Sequence, residues 1–158
     1  MVKVENKTGL PSSCGKENGL YPFFVNNNEG IDKYCNKYAF DGEYIILNTG
    51  GSSSIKYYDG KFSAMSDCLI LKPVAHPIGL YYSLIANEKK IEIAGFQGTG
   101  LKHLDTKWFF NLNVKLPKLS DKSLKKLNDL FDFKISDLTK KEDNIKLLKK
   151  YLLTNMFI

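Results

Sequence analysis

Past Pro117 the apolar residues take up a helical period. Leu124, Leu127, Phe131, Ile135, Leu138, Ile145, Leu148 and Leu152 fall on one face among lysine, aspartate and asparagine. Ser120 is a good cap for the start of this helix. Fully helical, the stripe runs over roughly 50 Å at ~1.5 Å per residue. A chain of 158 residues has room for one well-filled core and no body long enough to cover such a stripe. The helix is therefore expected to pair with another helix. From Leu127 to Leu138 the steps are four, four and three residues, which interrupts a strict heptad and permits a break near Asp132. Glu142 lies on the stripe where an apolar residue belongs, either fixing register in a seam or marking where the helix turns out of contact.

The residues before the stripe carry mixed strand and helix signals, so the expected class is α+β: a compact, sheet-rich unit at 1–119 and a helical region at 120–158. After a polar, turn-rich start that includes Gly9, the run 20–25 reads as a short strand, with Pro22 at an edge or at the strand start. Asn26, Asn27, Asn28 and Gly30 end it. Asp41-Gly42 reads as a turn before a buried strand at 44–47. Residues 55–62 read as a hairpin reversed at Asp59-Gly60, and 67–73 as a core strand stopped by Pro73. Leu80, Tyr81, Leu84 and Ile85 have helical spacing. Ile91-Glu92-Ile93 reads as a brief strand, and the alternation of Leu112, Val114 and Leu116 as another. Between them Gly95, Gly98 and Gly100 punctuate a loop, with Leu101 and Leu104 as its anchors.

All 23 basic residues are lysines, so bidentate arginine contacts to guanine or phosphate are excluded. The net charge of +6 divides as +2 over residues 1–117 and +4 over 118–158, which leaves the compact unit only faintly basic. Cys14, Cys35 and Cys68 are odd in number and never in a CxxC spacing, which argues against a disulfide framework or a zinc site and fits a reducing cytoplasm. The apolar runs fall well short of the ~18 residues that indicate a spanning helix. No membrane partner is expected.

Four places could meet a ligand. Ser52, Ser53 and Ser54 follow a glycine pair after a strand, an arrangement that lets backbone and hydroxyls approach phosphate, without the lysine of a nucleotide P-loop. Lys56, Tyr57 and Lys61 interleave charge and ring, which serves a nucleic-acid surface or simply a stable hairpin. Gln97, Lys102 and His103 offer an amide, an ammonium and an imidazole from a glycine-rich loop, a mixed set suited to a groove. The triple asparagine offers amides to base edges or turn chemistry. His103 lacks an orienting carboxylate and a nucleophile at usable spacing, Asp105 being too close in sequence, so no catalytic residue, metal or cofactor is expected.

In order and spacing, YPFFVNN, FDGEYIILNTGGSS, KYYDGKFSAMSDCLILKP, GLYYSLI, GTGLKHLDTKWFFNLNVKLPKL and the tail LLKKYLLTNMF resemble one half of a type I restriction-modification specificity subunit, from about Gly19 onward. The resemblance implies a non-catalytic target recognition domain at 1–119 that reads one half of a split double-stranded DNA site. It implies a helical spacer at 120–158, a DNA methyltransferase (modification) subunit as partner, and a translocating restriction subunit beyond it. A full subunit has two readers, whereas this chain has no internal repeat. Ser120-Asp121-Lys122 stands where the family often has Glu-Glu-Gln, and little of the usual opening strand is present. A lone reader implies a homodimer through the helix on a symmetric split site. The alternatives are a helical interaction module without DNA specificity and a small phosphate-handling enzyme built on residues 49–54.

Overall fold

Residues 44–48 are all buried, which a strand achieves when both faces of its sheet are covered. The computed structural model describes residues 2–5, 10–27, 31 and 33–156. In chain order the strands are β1 (Val2–Val4), β2 (Tyr21–Phe24), β3 (Tyr34–Cys35), β4 (Phe40–Asn48), β5 (Ile55–Ala64), β6 (Cys68–Pro73), β7 (Phe96–Gln97) and β8 (His103–Leu104). The helices are α1 (Pro77–Ala86), α2 (Glu88–Lys90), α3 (Thr106–Phe110) and α4 (Asp121–Met156), with a π-helical turn at Ile91–Gly95. Gly9, Asn28 and Gly30, assigned to turns from the sequence, lie outside the described residues. The chain divides into two units, Met1–Ser120 and Asp121–Ile158, and its class is α+β: a sheet-rich domain followed by a long helix.

The first unit is built on a six-stranded sheet of order β1-β6-β4-β5-β2-β3. Its middle is an antiparallel meander of β4, β5 and β6, and β2 joins β5 in parallel through Phe23 opposite Ser63 and Phe24 opposite Ala64. Strand alternation sends Ile45, Leu47, Ile55, Leu69 and Leu71 to one face, where Leu84, Ile91, Phe96, Leu104 and Phe109 close over them. Tyr44, Ile46 and Ile70 point the other way, into a second core with Phe24, Phe40 and Phe62. There the Phe62 ring lies 5.0 to 5.6 Å from the rings of Phe24, Phe40, Tyr44 and Tyr58, in the tilted and edge-to-face arrangements aromatic pairs prefer.

Five expectations do not hold. Neither Asp41-Gly42 nor Asp59-Gly60 reverses the chain: both lie inside long strands, and Gly42 pairs with Gly60 across the ladder. Their φ values of 119° and 143° lie where glycine is favoured, and a Cβ on Gly60 would meet the Tyr58 ring at 3.3 Å. The reversal falls instead at residues 49–54. Ile91-Glu92-Ile93 is helical, with Ile91 fully buried and Ile93 largely exposed, whereas strand residues two apart would share a face. Residues 112–117 form no strand among the described residues. Leu112 and Val114 pack against the core, Leu116 is exposed, and the Lys115 carbonyl lies 2.8 Å from the Ser83 hydroxyl of α1. Leu101 is exposed too, so of the two expected loop anchors only Leu104 is buried.

The second unit is α4, 36 residues without a break at Asp132, about 54 Å long at 1.5 Å per residue. Leu124 is buried, whereas Leu127, Phe131, Ile135, Leu138, Ile145, Leu148 and Leu152 are all exposed. Lys141 with Asp137 at 2.9 Å, and Lys146 with Glu142 at 2.7 Å, pair one turn apart along the helix. Glu142 is thus engaged within its own helix.

Candidate functional site

Three chain connections meet at the C-terminal end of β4. The first is the 49–54 loop, tied down where Thr49 donates from both its N–H and its hydroxyl to the Asp67 carbonyl, at 2.9 Å each. The second is the β7–β8 ribbon. The Gly51 N–H donates to the Lys102 carbonyl at 2.8 Å, the Leu104 N–H to the Thr49 carbonyl at 2.9 Å, and Gly50 forms a β-bridge with His103. The third is the turn after β2. Asn26 Nδ2 donates to the Gly50 carbonyl at 2.9 Å, and Asn48 Nδ2 to the Asn27 carbonyl at 3.0 Å.

The ribbon has two unlike faces. Phe96 opposite Leu104 is buried in the core, and Gln97 opposite His103 is exposed, so amide and imidazole stand side by side as a cross-strand pair. Residues 98–102 form its exposed tip, ending in Lys102. Gly98 has a φ of 137°, and a Cβ there would meet the Leu101 carbonyl at 3.0 Å, so the tip requires glycine at that position. Below the ribbon, the Asp105 carboxylate accepts from the Trp108 N–H at 3.0 Å and caps α3. It is occupied in holding a helix.

Behind the 49–54 loop lie Glu88 and Glu92. Glu92 accepts from the Ser53 N–H, and Glu88 accepts from the Ile55 N–H. Burial raises the Glu88 pKa above the ordinary carboxyl value of 4.5, the neighbouring Glu92 charge raises it further, and the Ile55 bond opposes both. The N–H groups of Gly51 and Ser53, which a phosphate cradle would offer, are thus committed to Lys102 and Glu92. An anionic wall at that spot also disfavours phosphate.

The structure therefore sorts the residues singled out from the sequence. It brings together Gln97, Lys102 and His103 on the ribbon, while Ser52 lies with Ser53 beside Glu88, Lys89 and Glu92. Ser53 is held by Glu92, and Ser54 is buried with its carbonyl accepting from the Asn48 N–H at 3.1 Å. Lys56 Nζ donates to Asn27, 2.7 Å to the carbonyl and 2.9 Å to Oδ1. The Tyr57 hydroxyl donates to Glu43 at 2.5 Å, and its ring lies 5.8 Å from that of Tyr81. Lys61 is far along β5 from the loop, its ammonium 4.7 Å from the centre of the Tyr38 ring. The asparagine run, read from the sequence as amides for base edges or as turn chemistry, holds the turn and the 49–54 loop through Asn26 and Asn27, and Glu92 carried no signal as a site residue. Asn28 is not among the described residues.

Among the described residues no group of three histidine, cysteine or acidic side chains could hold a metal ion, and no helix is long and apolar enough to cross a membrane.

Residues 1–150 match the family of type I restriction modification DNA specificity domains. The chain is 30% identical over 152 residues to the type I restriction enzyme EcoDI specificity subunit of Escherichia coli, which covers 94% of this chain and 34% of that protein. It is 27% identical over 151 residues to the type I restriction enzyme MjaVIII specificity subunit of Methanocaldococcus jannaschii, covering 88% of this chain and 35% of the relative. Among solved structures it is similar to the S subunit of the type I restriction-modification system from M. genitalium, with a TM-score of 0.67 and 20% identity over 95% of this chain and 42% of that one. That likeness concerns the fold. The chain spans about a third of the length of these two curated relatives.

Proposed function

The chain belongs to the family of type I restriction modification DNA specificity domains, and on that premise we propose that it is a target recognition unit reading one half of a split duplex site. The observation that carries this reading is the β7–β8 ribbon. A two-stranded ribbon is among the elements a major groove admits, and this one turns an amide and an imidazole outward beside a lysine. Gln97 suits adenine, whose N6 and N7 match a side-chain amide, and His103 reaches a neighbouring base edge. Lys102 holds phosphate, whereas Ser52 lies with Ser53 beside Glu88 and Glu92. Ser53, Ser54, Lys56, Tyr57 and Lys61 shape the surface through the contacts described above.

In this reading the chain has no chemistry of its own and needs no cofactor. It directs a DNA methyltransferase subunit, and through it a translocating restriction subunit, in the cytoplasm. Residues 1–119 form the reader and 120–158 the spacer. The exposed stripe of α4 pairs with a second helix, in a homodimer or in a longer subunit, and the helix length sets the gap between half-sites.

The test is selection from a pool of random duplexes at moderate salt, with the protein alone and again with a candidate methyltransferase subunit. Enrichment of a split motif is expected. Self-association without enrichment in either condition would overturn the reading in favour of a helical interaction module.

A further inference from the structure

The 49–54 loop and the ribbon form a continuous hydrogen-bonded layer, and Gly50 sits at its centre. Gly50 is buried, bridges His103, and presents its carbonyl to Asn26 Nδ2 at 2.9 Å. A Cβ built on Gly50 would lie 3.2 Å from Asn26 Nδ2 and 3.7 Å from His103 Nδ1, so the amide and the imidazole flank the same small residue. Asn26 is itself held, its N–H lying 3.1 Å from Met65 Sδ while the next residue is fastened by Asn48 and Lys56. A displacement of Asn26 is therefore passed directly to Gly50, and through the bridge to the backbone that aims His103.

We propose that Asn26, through Gly50, is a specificity-determining positioning residue for His103. The inference rests on the DNA-reading function proposed above. Asn26 is half-buried and lies under the reading layer, so its contribution is to where the imidazole stands. A base contact depends on donor and acceptor distances within a few tenths of an ångström, whereas a lysine on a flexible stem still finds phosphate from a displaced backbone. Losing the Asn26 bond should lower discrimination between cognate and non-cognate duplexes and leave general affinity nearly unchanged.

The experiment is a double-mutant cycle on the full chain, with any partner subunit that binding requires. Affinity for the selected duplex and for a scrambled duplex is measured for the parent, Asn26→Ala, His103→Ala and the double variant. The ratio of the two affinities should fall about tenfold or more in each single variant. The double variant should be no worse than His103→Ala alone, and the salt slope on scrambled DNA should not change. Should Asn26→Ala fail to fold, Asn26→Leu, similar in shape and lacking the donor without adding a charge, carries the same expectations.

Multiplicative losses in the double variant would overturn the coupling, as would loss of affinity for both duplexes in equal proportion. If the parent and His103→Ala behave as above but Asn26→Ala discriminates normally, this inference fails and the function stands. A parent with no sequence preference sinks both.

Discussion

Lys56 and Lys102 look equivalent in the sequence, each a lysine beside a glycine-rich segment, and the structure gives them different work. Lys56 spends its ammonium on two oxygens of Asn27, at 2.7 and 2.9 Å, whereas Lys102 is exposed at the ribbon tip. Replacing each with alanine should separate stability from DNA binding. Each phosphate neutralised contributes about 0.9 to the slope of log affinity against log salt on duplex DNA. Lys102→Ala should flatten that slope by about 0.9 per bound chain, so the affinity lost between 50 and 200 mM salt shrinks about 3.5-fold, or about 12-fold if two chains bind one duplex. Lys56→Ala should leave the slope alone and lower the urea midpoint, because charged hydrogen bonds of this kind are worth about 1 to 2 kcal/mol at a half-exposed site. Fluorescence anisotropy across a salt series and urea unfolding give both readouts from one preparation. An unchanged slope for Lys102→Ala, or a flattened slope with normal stability for Lys56→Ala, would refute the division of roles.

Other outcomes follow from the packing. Phe62→Ala, at the centre of the ring cluster, should cost about 3 to 5 kcal/mol by chemical denaturation, and a loss under 1 kcal/mol would mean that cluster is not a core. Glu88→Gln should be more stable than the parent at neutral pH by about 0.2 to 0.5 kcal/mol, since it removes a like charge four residues from Glu92 and keeps an acceptor for the Ile55 N–H. The sign follows from linkage. A raised carboxyl pKa means the folded state holds the proton more tightly, so stability falls as pH rises from the ordinary value of 4.5 through the raised one. Urea midpoints of parent and variant should converge below that ordinary value, and a variant less stable at pH 7 contradicts the account. Replacing both Ile145 and Leu148 with lysine should abolish self-association measured by sedimentation while leaving thermal unfolding of the first unit unchanged. Persistence of the assembly would show that this part of the stripe is not its seam.

Elements whose signal lies in their own side chains were legible. The strand at β6, the amphipathic α1 and the long stripe of α4 could all be read from period and punctuation. The two Asp-Gly pairs could not, because the dipeptide marks a glycine able to take positive φ without saying whether pairing stops there. Here it continues, since Gly42 and Gly60 face each other and the residues beyond them still find partners. Likewise the alternation at 112–116 reads as a strand, but only the tertiary fold shows that it lies against α1 and pairs with no strand among the described residues. At the candidate site the sequence supplied Gln97, Lys102 and His103 together, as neighbours in one loop. It could not supply the contacts of Asn26 and Glu92, which reach the 49–54 loop from 24 and 39 residues away through single hydrogen bonds.

The topology also sets an order of assembly. β4, β5 and β6 are consecutive and joined by short connections, so their meander can form from nearby chain, whereas β1 and β2 attach only to strands made later. The parallel partner of β2 lies 40 residues downstream, and closing that distance costs chain entropy that only a finished edge of β5 can offset. The asparagine turn therefore docks only against residues 63 and 64 already in place, and the layer above it is complete only with residue 103. The surface proposed to read DNA is thus closed by contacts between segments far apart in the chain, and it rests on a meander of consecutive strands.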